Sequence, residues 1–334
     1  MVPNSSGETA LICGFAKSFA EKHGYGITLV IRDAHNPIAS MYPDRFNAVM
    51  NLPFDVMRDF TTYGLIPPNH FDIDFPFNTW PLQYGDGRLY NIFELMERPG
   101  GRGGLSLTDL YRHVLRLDWE APIERATLPI EAQLQAMKLI TTLDIEPGNS
   151  VILFPGNNTN APAPYAFWTA VAEAYQKKGM QVFTNTAGAT FVPGPLPIPG
   201  TQALHLGLDT ALALSEHAGH MVIGCNGLVI LSLLAGIKCR IDSVITDSMC
   251  IDPEQGFFPS SHYGSSCQLR FPELALTHPS FTEWTISSED TQERLQQLAS
   301  DIVERRASEL QLTHQRIEEF QNADRMEWAR KLVV

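Results

Sequence analysis

Long hydrophobic runs and a leader pattern are both missing from this sequence. The longest apolar runs fall far short of the roughly 20 residues that a transmembrane helix requires, so no membrane-spanning segment is expected. The N-terminus, Met1–Gly7, is polar and lacks the basic-then-apolar pattern of a signal peptide. Together these absences predict a cytoplasmic protein.

Cysteine and positive charge are also scarce. The chain has 5 cysteines, an odd number, and they are widely spaced with no C-x-x-C pair, which argues against a disulfide framework and against a zinc site. Lys and Arg number 24 against 37 Asp and Glu, for a net charge of −13, and no basic block is present. A nucleic-acid partner is therefore not expected. The 334 residues, 44% of them hydrophobic, suggest two globular domains.

The most informative stretch alternates strand-like and helix-like patterns. Val151–Phe154 ends at a Pro-Gly turn, Gln181–Asn185 forms a second apolar run, and Met221–Ile223 ends at the turn Gly224–Gly227, which opens an apolar helix. Such alternation predicts a parallel sheet, and ligands bind at the carboxyl ends of parallel strands. The last turn would aim backbone N–H groups and the positive end of a helix dipole at an anion.

Near the N-terminus, Ser5 or Ser6 can cap a helix over Glu8–His23, with the Glu8 carboxylate in its first turn, where negative charge is favoured. A buried-type strand, Ile27–Ile31, follows the helix, and Ala48–Met50 is a further short strand. Later in the chain, Asp252–Tyr263 is expected to be loop.

Three motifs in this order resemble those of the heptosyltransferase-like glycosyltransferases. They are Ser5–Leu11, Val151–Asn157 and Met221–Leu228. In that family the first helix opens with small residues and an acidic residue, a later strand runs into His-Pro-Gly, and the donor-site strand ends in a glycine-containing turn before an apolar helix. The resemblance covers most of the chain. It implies an α/β fold of the GT-B type, with two Rossmann-like domains facing a central cleft.

The resemblance also implies the domain layout. Residues 1–130 would form the acceptor-side Rossmann-like domain and residues 131–285 the nucleotide-sugar-binding one. Residues 286–334 would be C-terminal helices that pack back on the first domain. The family begins with a strand ahead of the first helix, but only six residues precede Gly7 here, so the first strand of the N-terminal domain is expected to be missing.

The implied activity is transfer of a sugar from a nucleotide-sugar donor to a hydroxyl of a glycan or glycolipid acceptor, in polysaccharide biosynthesis. Transfer would proceed with inversion and without a metal or other cofactor. The partners would be these two substrates, with peripheral contact at a membrane where the acceptor is lipid-linked.

The same resemblance implies residue roles. Glu8 would be the general base that takes a proton from the acceptor hydroxyl. The residues that would bind the donor are Gly156, Asn157, Asn158, Thr159, Asn185, Gly188, Asn226, Gly227 and Leu228. Loop composition, rather than the resemblance, makes Trp80 in a proline-rich loop and Arg98 and Arg102 in a glycine-rich loop the candidates for the acceptor side.

Each of these residues also has a purely structural interpretation. Glu8 is favoured at a helix N-terminus with no catalytic role, and Asn226-Gly227 can be a plain turn. Asp72 and Asp74 have the D-x-D form of a metal site, but they alternate with apolar residues as in an ordinary strand. His217 and His220 flank the donor strand, where histidines usually cap helices or lie at the surface.

Departures from the family pattern keep two alternative functions open. The loop after Gly156 has no basic residue to neutralise phosphate, and the nearest cations beyond the donor helix are Lys238 and Arg240. One alternative is a non-transferring glycan-binding or nucleotide-binding protein on the same scaffold. The other is a nucleotide-sugar epimerase, for which His205, Asp209 and His217 are the candidate acid/base groups.

Overall fold

The computed structural model describes residues 6–53, 82–83, 89–90, 106–156, 162–188, 194–246, 248–252, 256–259 and 267–306, together with Asn322. In chain order the described elements are α1 (Ser6–His23), β1 (Thr28–Arg32), a 3₁₀ turn (Asp33–His35), α2 (Asn36–Ser40), β2 (Ala48–Leu52), β3 (Leu82–Gln83), β4 (Leu89–Tyr90), α3 (Leu107–Val114), α4 (Ile130–Leu143), β5 (Ser150–Phe154), α5 (Tyr165–Lys177), β6 (Gln181–Asn185), β7 (Gln202–Leu204), α6 (Leu208–Ala218), β8 (Gly219–Gly224), α7 (Gly227–Ala235), β9 (Arg240–Thr246), β10 (Ser248–Asp252), β11 (Gly256–Pro259), α8 (Cys267–Arg270), α9 (Pro272–Thr277), β12 (Phe281–Ile286) and α10 (Gln292–Glu304).

A six-stranded parallel sheet forms the centre of the second half of the chain. Its strand order is β12-β9-β8-β5-β6-β7, and every neighbouring pair is parallel. The chain runs outward from β5 to β7, returns to the other side of β5 as β8, and continues outward to β12. This is the strand order of the Rossmann fold, whose ligand crevice lies where the winding direction reverses. The reversal here is between β5 and β8, the two strands that carry the motifs Val151–Asn157 and Met221–Leu228.

Two apolar cores cover the two faces of this sheet. One core lies under α5 and α10 and includes Phe167, Trp168 and Leu298, all buried. The other lies under α6 and α7 and continues without a break into α1 and β1, with Leu11 and Phe15 fully buried. Helix α7 therefore packs between the sheet and α1, which explains why its sequence is apolar on every side.

The first half contributes a smaller sheet, in which β1 pairs in parallel with β2. The strands expected at Ile27–Ile31 and Ala48–Met50 are therefore confirmed within one or two residues. The residues before Ser6, where the family has its first strand, lie outside the described residues.

The described part of the predicted C-terminal segment, α10, packs on α5 and on the large sheet. The expected return of the C-terminal helices to the first half stays a prediction for the residues beyond 306, of which only Asn322 is described. The boundaries predicted at 130/131 and 285/286 also stay predictions, and the second falls one residue before the end of β12.

Strand β12 was missing from the sequence prediction because a buried charge interrupts its apolar pattern. Glu283 is fully buried at its centre, and its carboxylate accepts hydrogen bonds from the backbone N–H groups of Cys267 (2.6 Å) and Gln268 (3.1 Å). The carboxylate thus caps α8, so its burial is compensated. The antiparallel pair β10–β11 likewise lies partly in a stretch, Asp252–Tyr263, that the sequence predicts to be loop.

The described cysteines Cys13, Cys225, Cys239 and Cys267 are all buried, and none of them is in a disulfide. Within the described ranges no helix is both long and apolar enough to cross a membrane.

A buried polar cluster lies at the amino-terminal edge of the large sheet, opposite the winding reversal. The Asp242 carboxylate accepts hydrogen bonds from Trp284 Nε1 (2.7 Å) and Arg240 Nη2 (3.1 Å), and it contacts His220 Nε2 at 2.5 Å. The hydroxyl of Tyr175 lies 2.8 Å from His220 Nδ1. Burial lowers the pKa of His220, although the hydrogen bond that His220 makes to the Asp242 carboxylate opposes this change.

This cluster contains two sequence-based candidates. His220 flanks the donor strand in sequence, and Arg240 is one of the two nearest cations beyond the donor helix, but the sequence does not show which way either side chain points. Both begin their strands and therefore lie at the edge that is remote from the winding reversal. Their role is to hold β8, β9, β12 and α5 together.

We expect Asp242→Ala to lower the free energy of unfolding by about 3–5 kcal/mol, because it leaves the Arg240 guanidinium buried without its carboxylate. The measurement is urea unfolding at neutral pH. The control is Asp118→Ala, which breaks an exposed ion pair with Lys22 and should cost less than about 1 kcal/mol. Equal losses in the two variants would contradict this account.

Candidate functional site

One asparagine joins the two turns at the winding reversal. Asn226 caps α7, since its Oδ1 accepts a hydrogen bond from Leu228 N–H (2.8 Å), and its Nδ2 donates to the carbonyl of Gly156 (2.7 Å). The backbone pairing of Phe154 with Ile223 brings the two turns out of the sheet side by side. Gly156 and Asn226, 70 residues apart in sequence, therefore lie together as the motif analysis predicts.

The start of α1 lies directly against the start of α7. A Cβ added to Gly227 would lie 2.1 Å from Ser6 Oγ and 2.7 Å from the Gly7 nitrogen. A Cβ added to Gly7 would lie 2.5 Å from Ile230 Cδ1 and 3.4 Å from the Gly227 Cα. The two helices thus meet at glycines, where backbones can approach most closely. Glu8, the next residue, is placed beside the turn at the winding reversal.

This contact changes the expected geometry of the donor site. The resemblance implies two halves that face each other across a cleft, with the Gly227 and Leu228 N–H groups turned to a diphosphate. In this structure the Leu228 N–H already donates to Asn226, and Ser6 fills the space beside Gly227. A diphosphate at this turn would have to displace Ser6 and compete with the Asn226 side chain.

Glu8 is half-buried beside the Tyr111 phenol and the Arg32 guanidinium. Burial raises the pKa of Tyr111 on α3, and the charge of Glu8 and its hydrogen bond raise it further, whereas the charge of Arg270 lowers it. Arg32, at the end of β1, is attracted to Glu8, although burial lowers the pKa of this arginine. The carboxylate therefore lies beside a phenol and a cation, and the charge of Arg270, from the second half of the chain, acts on the same phenol.

The loop after β1 is fixed to α1 by a neutral histidine. Thr9 Oγ1 lies 2.8 Å from His35 Nδ1, and both residues are buried. Burial, together with the nearby Arg32 charge, lowers the pKa of His35 from 6.5 to about 4. Histidine 35 is therefore uncharged at neutral pH and serves as a hydrogen-bonding partner for α1.

Arg270 is carried by the short helix α8, which is fixed to the same turn. The Cys267 thiol is hydrogen-bonded with that of Cys225, the residue before Asn226, and this bond and burial raise the pKa of Cys267. The Nε atom of Arg270 is buried, and no acceptor for it is found among the described residues. Arg270 thus supplies a cation near the winding reversal. The loop after Gly156 has no basic residue that could do so.

Of the remaining donor-site and acceptor-side candidates, Asn185 is described and most of the others are not. The Asn185 side-chain oxygen accepts hydrogen bonds from Ala187 N–H (3.3 Å) and Leu206 N–H (3.0 Å), so it shapes the loop that contains Gly188. Several others lie outside the described residues, and their roles stay predictions: Asn157, Asn158, Thr159, Trp80, Arg98, Arg102, Asp72 and Asp74.

Two other candidates lie away from the site. His217 contacts the Ile145 carbonyl at 3.2 Å, next to the start of β5, and Lys238 is exposed beyond the carboxyl end of α7. No cluster of three or more His, Cys, Asp or Glu side chains that could hold a metal ion is found in the described part of the chain.

The sequence interpretation missed Arg32, Tyr111 and Arg270. Arg32 ends strand β1, so the rule that ligands bind at the carboxyl ends of strands could have identified it. Tyr111 and Arg270 lie on helices and belong to no motif, so only the tertiary packing brings Tyr111 to Glu8 and Arg270 close to Tyr111.

We expect Gly227→Ala to destabilise the protein by about 1–3 kcal/mol, because the new methyl group would overlap the Gly7 backbone. Gly156→Ala is the matched control in the neighbouring turn, since its Cβ would have no contact closer than 3.7 Å, to Pro195. Thermal or urea unfolding compares the two. Equal stability of both variants would show that α1 does not pack against Gly227 as closely as the structure indicates.

We expect His35 to make stability depend on pH. Its pKa is about 4 in the folded protein and 6.5 in the unfolded chain, so only the unfolded chain binds this proton between those values. The contribution of His35 to the free energy of unfolding is therefore fully present above pH 6.5. It falls as the pH drops towards 4, by about 3 kcal/mol at most. Urea unfolding at pH 7 and at about pH 4.5 should show a smaller decrease for His35→Gln than for the unmodified protein.

His205→Gln, at an exposed position, is the control for this experiment. Burial also lowers the pKa values of His220 and His278. Their contribution to the pH dependence of unfolding is the same in the unmodified protein and in both variants. An identical pH dependence in His35→Gln and the unmodified protein would refute the assignment.

Comparison with known proteins rests on structure, because no family model and no curated protein sequence matches the chain. The glycosyl transferase family 9 protein from Veillonella parvula DSM 2008 aligns with a TM-score of 0.50 at 13% identity, over 96% of this chain and 94% of that one. E. coli ADP-heptose LPS heptosyltransferase II aligns with a TM-score of 0.51 at 11% identity, over 91% and 97%. The resemblance inferred from the motifs is thus confirmed at the level of the fold: the chain has the GT-B architecture of the heptosyltransferase-like glycosyltransferases.

Proposed function

We propose that this protein is a glycosyltransferase that moves a sugar from a nucleotide-sugar donor to a hydroxyl of a glycan or glycolipid acceptor. The observation that carries the proposal is the contact of Gly7 with Gly227, by which the first turn of α1, with Glu8 next to Gly7, meets the winding reversal of a Rossmann-ordered sheet. The shared fold with two glycosyltransferases supports it.

The donor would lie along the carboxyl edge of the large sheet. Its nucleoside would approach the loop after β6, and its diphosphate the turns that Asn226 joins. Arg270 would neutralise the charge that develops on the departing diphosphate, the role for which the Gly156 loop has no basic residue.

Glu8 would act as the general base. Its carboxylate would take the proton of the acceptor hydroxyl while that oxygen forms a bond to the anomeric carbon of the sugar. The bond from that carbon to the phosphate oxygen would break, and the nucleoside diphosphate would leave with the electron pair. A single displacement of this kind inverts the anomeric configuration. Tyr111 and Arg32 would position the carboxylate.

Binding would require α1 and α7 to separate at their first turns, because Ser6 and Gly7 occupy the space beside Gly227. Closure behind the bound donor would then exclude water from the sugar and protect it from hydrolysis. We extend the proposal to metal-independent transfer in the cytoplasm as part of polysaccharide biosynthesis, with a membrane-associated acceptor where that acceptor is a glycolipid.

A second candidate is a binding protein that keeps the scaffold without transfer. It is favoured by the same close contact, because Ser6 and the Asn226 cap occupy the groups that would bind a diphosphate. Binding of a nucleotide or glycan without turnover of any nucleotide sugar would support this candidate over the first.

The donor class is tested by calorimetric titration with ADP, UDP, GDP, dTDP and CMP, each in EDTA and in Mg²⁺. ADP comes first because one structurally similar enzyme is named for ADP-heptose. We expect one nucleotide to bind equally well in both buffers, and Arg270→Gln to weaken it by about tenfold or more, the worth of one charge-assisted hydrogen bond. Lys238→Gln, beyond the far end of α7, is the matched control and should leave affinity unchanged.

Loss of affinity in both variants would place the phosphates elsewhere. Binding that needs Mg²⁺ would refute metal independence and direct attention to Asp72 and Asp74.

We expect Glu8→Gln to lower the release of nucleoside diphosphate from the donor by at least about 100-fold, because the amide cannot accept the proton. Nucleotide affinity should stay within about twofold, since the amide is similar in shape. Glu21→Gln, on the exposed side of the same helix, is the control and should retain full turnover. Unchanged turnover in Glu8→Gln would remove this residue from the mechanism.

A further inference from the structure

Helix α4 carries an apolar stripe on the side that faces away from the core. Ile130, Leu134 and Met137 have exposed fractions of 69%, 59% and 61%. Their spacing of four and then three residues places them on one face of the helix, and Thr141 continues that face. Single exposed apolar residues are common, but an aligned series of three is the seam by which helices pair.

The opposite face of α4 already packs against the protein. Ala132 and Ala136 are buried where α4 packs on α6, and the Gln135 side chain accepts a hydrogen bond from Thr210 (3.2 Å). The helix therefore cannot rotate to bury the stripe without losing this packing. The stripe is a surface feature of the folded chain.

Charged residues beside the stripe specify what can cover it. Glu131 and Lys138, seven residues apart, flank the same side of the stripe, and the other side carries Gln133 and Ile140. Among the described residues neither Glu131 nor Lys138 has an ion-pair partner. If two such helices pack antiparallel about a two-fold axis, Glu131 of one copy faces Lys138 of the other, and the pair occurs twice. A parallel arrangement would set these charges against uncharged residues.

We propose that α4 is a self-association surface, on which two copies of this chain pack stripe against stripe in antiparallel orientation. The two-fold axis closes the assembly at two copies, because each stripe is used completely. A single pair of 14-residue helices buries less than the roughly 800 Å² per partner of a standard interface. The dimer is therefore weak and forms with rising concentration.

The first test is sedimentation velocity on the full chain from about 5 µM to about 500 µM, the range in which weak interfaces assemble. The expected result is a shift from monomer to dimer, which Leu134→Glu abolishes while circular dichroism stays that of the folded protein. A monomer at every concentration would overturn the proposal, whether the stripe is left open or covered by another segment of the same chain. Flotation with lipid vesicles in place of self-association would also overturn it, in favour of a membrane surface.

The second test is charge exchange across the two-fold axis. Glu131→Lys and Lys138→Glu, each alone, should raise the dimer dissociation constant by about tenfold, because each creates two like-charge contacts. The double variant Glu131→Lys with Lys138→Glu should restore the original constant. Glu173→Lys, exposed on α5, is the control and should have no effect. A dimer that none of these variants alters would refute the antiparallel pairing and with it the proposed surface.

Discussion

The close contact between Gly7 and Gly227 is the constraint on which the rest of the site depends. Because neither residue has a side chain, the first turns of α1 and α7 meet backbone to backbone, and one apolar core runs from β1 through both helices to the large sheet. The contact places Glu8 at the point where the sheet reverses its winding. The same contact fills the space that a donor diphosphate would need, so binding and closure are coupled to the separation of two helices.

The polar groups around Glu8 and Tyr111 come from parts of the chain that are distant in sequence. Arg32 ends β1, Tyr111 lies on α3, and Arg270 ends α8, whose first N–H groups are held by the buried carboxylate of Glu283. Cys267 ties α8 to the turn before α7. Each group is thus positioned by an element of secondary structure. Arg32 and Tyr111 give the Glu8 carboxylate an environment that no single motif contains, and the charge of Arg270 acts on Tyr111.

Sequence reasoning identified the parts of the fold that local pattern determines. The strands β5 and β8 and the turns after them follow from apolar runs, glycine turns and the strand-end rule. The closeness of Gly156 and Asn226 agrees with the resemblance, which implies that both bind the donor. Sequence reasoning failed where tertiary packing decides. The charge of Glu283 concealed β12, and local pattern did not show that His220 and Arg240 lie near the starts of their strands, at the edge opposite the donor turns. Tyr111 and Arg270 could not have been found without the packing of α3 and α8.

The most direct test of the account is hydrogen–deuterium exchange of the full chain with and without a saturating nucleoside diphosphate. If the donor binds where α1 meets α7, exchange changes together in residues 6–9 and in residues 225–229, with slower exchange at the second segment. Changes confined to other parts of the chain, with both segments unaffected, would contradict the placement of the donor site at the contact of Gly7 with Gly227.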